Sequence, residues 1–157
     1  MLAVVFTSCK KEENQIFYEG GTAPTLTANK TASIAVAFAN ADMEAVKFSW
    51  TNPNYKFSTG LSSQDVFYKL EIDTTNAAGT ANPNFTFSGK QTIGVSKDLS
   101  VSITQGQLND YLLNQLQLVP GMVHYLQIRL IANLVNSNAT LMSNVIKLST
   151  TPYAIPP

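Results

Sequence analysis

The residues in this chain that invite a chemical reading are few: Cys9, His124 and the carboxylates Glu71 and Asp73. A thiol and an imidazole can pair as nucleophile and base, but such a pair needs a third group to orient the imidazole. Cys9 and His124 are each the single residue of their kind, and no Ser-His-Asp arrangement accompanies them. Glu71 and Asp73 stand two apart, so on a strand they share a face and could bracket a calcium ion. Two carboxylates fall short of the six to eight oxygens that calcium takes, so they read as residues of a solvated face. No glycine-rich phosphate loop leads from a strand into a helix. The sequence therefore predicts neither catalysis nor a metal or cofactor.

The surroundings of Cys9 suggest a different use for its thiol. Met1-Leu2-Ala3-Val4-Val5-Phe6 runs into the small residues Thr7 and Ser8, then Cys9, then Lys10-Lys11-Glu12-Glu13. This stretch is far below the ~20 apolar residues that cross a bilayer. It resembles the end of a bacterial lipoprotein signal peptide, although a basic start is missing and Phe6 stands where Leu is usual. Residues 1–8 then form a partial signal peptide, and Cys9 becomes the lipid-bearing first residue. The plainer alternative is a free thiol in a disordered N-terminus. Residues 9–21 read as a tether reaching roughly 20 Å. Its Glu12-Glu13 pair resembles acidic surface-export signals of Bacteroidota lipoproteins.

Composition narrows the class. The 157 residues carry ten basic and ten acidic side chains and no formal net charge, with Arg129 the single arginine. Nucleic acid demands clustered basic residues on one face, so it is excluded as a partner. At 45% hydrophobic residues the chain has the composition of a folded domain. With one cysteine no internal disulfide can form, so stability rests on the core.

The elements that position these side chains read as strands from Thr22 onward. Ser33–Phe38 alternates, with Ile34, Val36 and Phe38 on one face; Val46, Phe48 and Trp50 form the next inward row. Pro53, flanked by asparagines, ends that strand. Val66, Tyr68, Leu70 and Ile72 then face inward, with Phe67, Lys69, Glu71 and Asp73 opposite. Residues 76–89 read as a long loop. Strands are predicted at 92–96, 99–103, 122–132 and 140–149. Thr104 and Gln107 have capping-box spacing, and Leu108, Leu112 and Leu116 form a helical stripe. This predicts one crossover helix over about 105–116. About seven strands and one helix indicate an all-β sandwich of immunoglobulin or fibronectin type III kind over 22–151. In Leu118-Val119-Pro120-Gly121-Met122-Val123-His124, His124 occupies the place of a corner tyrosine, which predicts a structural hydrogen bond. Residues 152–157 read as a Pro-rich terminus or the start of a linker.

Several segments resemble, in order and spacing, the SusE-like outer-membrane lipoproteins of starch-utilisation-type systems in Bacteroidota. They are Ser8-Cys9-Lys10-Lys11, Phe48-Ser49-Trp50-Thr51-Asn52-Pro53-Asn54-Tyr55, Tyr68-Lys69-Leu70-Glu71-Ile72-Asp73, the Leu108-to-Gly121 pattern and Ile128-Arg129-Leu130-Ile131-Ala132. The resemblance implies a non-enzymatic protein at the cell surface, lipid-anchored in the outer membrane and working with a SusC/SusD-type transport complex on polysaccharide. In that family the glycan is generally held by C-terminal domains, and the N-terminal sandwich is mainly a spacer. The alternative is a small carbohydrate-binding module using exposed rings. Trp50 and Tyr68 fall on inward rows and read as core. The candidates for sugar contact are Tyr55 and Phe57 beyond a strand end, Phe67 and Tyr125 on outward faces, and Phe85 and Phe87 in the long loop.

Overall fold

Alternation at period two, carried mainly by β-branched and aromatic residues, builds two sheets that share one core. The computed structural model describes residues 17–62, 64–75, 90–135 and 139–157. The strands are β1 (Tyr18–Gly20), β2 (Leu26–Ala28), β3 (Ser33–Ile34), β4 (Glu44–Trp50), β5 (Lys56–Phe57), β6 (Gly60–Leu61), β7 (Val66–Thr74), β8 (Gln91–Ser96), β9 (Ser100–Thr104), β10 (His124–Leu134), β11 (Thr140–Met142) and β12 (Ile146–Thr150). One sheet has the order β2-β4-β9; the other runs β3-β12-β10-β7-β8, with β11 also on β10. Leu26, Val46, Phe48 and Ile103 of the first sheet pack with Leu70, Ile72, Leu126, Ile128, Leu130 and Leu148 of the second. This is an all-β sandwich. A third, small sheet, β1-β5-β6, stands apart from both.

The capping box forms as its spacing predicts. Thr104 accepts from the Gln107 backbone N–H, and the Gln107 side chain accepts from the Thr104 N–H. Helix α1 (Gln105–Asp110) continues into a π-helical turn, Tyr111–Gln115, and buries Leu108 and Leu112. It carries the chain from β9 in one sheet to β10 in the other, as a crossover.

Three local expectations fail for identifiable reasons. Strand β3 stops after two residues, and Phe38 begins a 3-10 turn with 57% of its surface exposed. The backbone N–H of Ala37 donates to the Gln105 side chain at 2.9 Å, which replaces a ladder partner. The strand expected over 140–149 is split, because Asn144 turns away to bond the N–H and C=O of Leu26 across the sandwich. Tyr18–Gly20 lies inside the segment read as tether yet forms β1. Its rings secure it: Tyr18 contacts Phe57 at 5.6 Å and Tyr55 at 6.1 Å.

Candidate functional site

Strand β10 runs the length of the sandwich, and its two ends define two poles. Near one end the Tyr55 hydroxyl donates to the carbonyls of Ala132 and Ala139, at 3.0 and 3.2 Å. The small sheet, where the described chain begins, sits at this pole beside Tyr55. At the other end His124 pairs with Thr150, and the Gly121 N–H donates to Pro152 at 2.8 Å. The last residues are clasped there by Asn109, which is 1% exposed. Its amide nitrogen donates to the Tyr153 carbonyl and its oxygen accepts from the Tyr153 N–H, both at 2.9 Å. From Ala132 to His124 the strand advances roughly 27 Å at about 3.4 Å per residue. The described chain thus starts at one pole and leaves at the opposite one.

The candidate rings are dispersed over this frame. Tyr55 corrects the sequence expectation most sharply: it is 2% exposed, not presented to solvent. Its backbone does lie past the end of β4, but the hydroxyl finds two carbonyl acceptors inside, which satisfies the buried polar tip. Burial, with smaller contributions from Tyr18 and Tyr68, pushes its phenol up to about 12. Gly21 packs so tightly here that an added Cβ would lie 3.1 Å from the Tyr55 ring and 3.0 Å from the Pro53 carbonyl. Phe57 is half-buried against Tyr18. Phe67 is half-buried on the outer face of β7, with the Lys97 ammonium 4.9 Å from its ring centre. Tyr125 is 39% exposed near the far end of that same outer face. Phe67 is paired to Asn133, so eight residues of β10, again roughly 27 Å, separate the two rings. They cannot stack on one sugar. Phe85, Phe87 and Cys9 lie outside the described residues.

Trp50 is 6% exposed and packs at 5.3 Å on Tyr68, which is 2% exposed. The His124 ring nitrogen Nε2 lies 2.8 Å from the Val119 carbonyl, across the turn that Gly121 makes at φ +82°. Glu71 and Asp73 share a face as their spacing requires, but each is only 7% exposed rather than solvated. Arg129, directly opposite on β10, donates to Glu71 at 2.8 Å, and Lys90 adds a second cation at 3.4 Å. These partners offset the cost of removing the carboxylate from water. They also occupy oxygens a cation would need. Among the described residues no group of three or more His, Cys, Asp or Glu side chains could hold a metal ion.

Like Phe17 and Phe38, Tyr18 is an exposed ring that sequence reasoning missed. It is 45% exposed and sits beside a shallow cleft of about 330 Å³ between β1 and β5, where Glu19, Asn54 and Lys56 meet. The signal available for it was the apolar run Ile16-Phe17-Tyr18 inside an otherwise polar segment. Among the described residues no helix is long and apolar enough to cross a membrane.

Comparison with known proteins adds one match. Residues 10–131 fit the family model described as SusE outer membrane protein. No curated protein and no solved structure matches the chain.

Proposed function

Because the chain belongs to the SusE outer membrane protein family, an outer-membrane family of starch-utilisation systems whose members are non-catalytic, we propose that this domain is a spacer. In this reading it is anchored through a lipid on Cys9 and keeps its two poles apart, beside a SusC/SusD-type transport complex. The observation that carries the reading is the polar layout. The first described strand packs at one end of β10, and Tyr153 is fixed by Asn109 at the other. A domain built for separation needs its two poles far apart and the segments at each pole firmly held. Dispersal of Phe57, Phe67 and Tyr125 favours this over a carbohydrate-binding module, since a sugar site needs its rings within one ligand's reach.

Two measurements on the full chain test the proposal. In cells the protein is expected in the outer-membrane fraction with a lipid mass on Cys9, and Cys9→Ser is expected to release it. In affinity gels containing soluble starch the purified chain is expected to migrate unretarded. Retardation that disappears in Phe57→Ala or Tyr125→Ala would establish the carbohydrate-binding module instead.

A further inference from the structure

The small sheet has two faces of different character. Side chains alternate along each strand, so Tyr18 and Phe57, which touch each other, take the face turned toward buried Tyr55. Phe17 precedes Tyr18 and is tied to Ser58: its carbonyl accepts from the Ser58 N–H at 2.8 Å, and its N–H donates to the Ser58 hydroxyl at 3.0 Å. Leu61 pairs with Lys56, the neighbour of Phe57. Phe17, Lys56 and Leu61 therefore take the opposite, outward face. Phe17 is 60% and Leu61 66% exposed, and the exposed Lys56 is paired to Leu61 on one side and to Gly20 on the other. Large apolar residues held outward with a lysine among them match the boundary of a lipid layer, where rings and aliphatic groups enter and the ammonium stays with the headgroups. Glu19 supplies the one acid on β1.

Position selects the occupant. Phe17 follows Cys9 by eight residue steps, with seven residues between them, and a chain that long spans at most about 29 Å. A lipid on Cys9 would keep this face within that distance of the bilayer, a high effective concentration for a weak contact. A second exposed apolar set, Val119, Met122 and Val123, lies at the opposite pole, away from Phe17 by about the length of β10. We propose that the outward face of the small sheet, through Phe17, Leu61 and Lys56, rests on the phospholipid surface and sets the domain upright on the membrane. The inference rests on the anchored-spacer reading and adds an orientation to it.

Cys9 is the single thiol, so the purified full chain can be coupled through it to vesicles of phosphatidylethanolamine and phosphatidylglycerol carrying a maleimide lipid. The reference is the same chain coupled to soluble maleimide polyethylene glycol. Hydrogen exchange of the amides of residues 56–61 is expected to slow at least about fivefold on vesicles, with residues 119–123 unchanged. The double variant Phe17→Ser/Leu61→Ser should keep the melting temperature, since both side chains are mostly exposed, and should lose the protection. Equal exchange on vesicles and polymer overturns the proposal, as does protection that survives the double variant or appears at 119–123 instead. The mass of chain extracted from cell membranes reads the anchor separately. An unmodified Cys9 with a protected face refutes the anchor alone; a lipidated Cys9 with an unprotected face refutes the docking alone.

Discussion

Burial of the Tyr55 phenol makes its hydroxyl a structural group, and this changes what the residue can be used to test. Substituting alanine there would leave a cavity beside Gly21 and remove the hydroxyl that donates to Ala132 and Ala139, so a loss of binding would say nothing about sugar. Tyr55→Phe is the cleaner change. It removes the bonds to Ala132 and Ala139 and is expected to cost about 1–2 kcal/mol in urea denaturation. The pH dependence has a definite sign. The folded phenol titrates at about 12 against an ordinary value of 10.0, so the unfolded state loses its proton first as pH rises. Stability from this group is complete below pH 10 and falls between pH 10 and about 12. Burial moves Tyr68 in the same direction. In Tyr55→Phe the alkaline fall should be shallower; an unchanged slope would mean that the phenol is solvated in the folded state.

Elements were legible where periodicity runs long enough to be read. β4, β7 and β10 each carry several apolar residues on one face, and the leucine stripe with its capping box marks the helix. The small sheet was not legible, because strands of two or three residues hold no period, and β1 is secured by ring contacts to residues nearly forty positions away. Nor could the spacing of Glu71 and Asp73 reveal their burial, which for Glu71 depends on Arg129 arriving from β10, 58 residues later. The candidate site suffered in the same way: a strand end was readable at Tyr55, but not the direction its ring would take. The Asn109 clasp is an element-scale device with its own test. Asn109→Ala removes both bonds to Tyr153, and is expected to speed proteolysis after residue 152 severalfold while lowering global stability by about 1–3 kcal/mol. Unchanged cleavage kinetics would mean that Gly121 and the Phe38–Tyr153 ring contact suffice to hold the segment.

On the scale of the whole molecule, the described chain begins at one pole of the sandwich and reaches Tyr153 at the other, and in the proposed spacer reading the domain's orientation decides whether it acts as a strut. The long dimension runs along β10, whose eleven residues extend roughly 36 Å, whereas the two packed sheets stand only about 10 Å apart. Upright and flat placements on a membrane therefore differ in depth by an amount that scattering resolves. Neutron reflectometry of the full chain, coupled through Cys9 to a supported bilayer, measures that depth directly. An anchored spacer standing on its small sheet gives a protein layer at least about 35 Å deep, with its density beginning at the headgroups. A layer of only about 20 Å, with the sandwich lying on its side, would contradict the spacer.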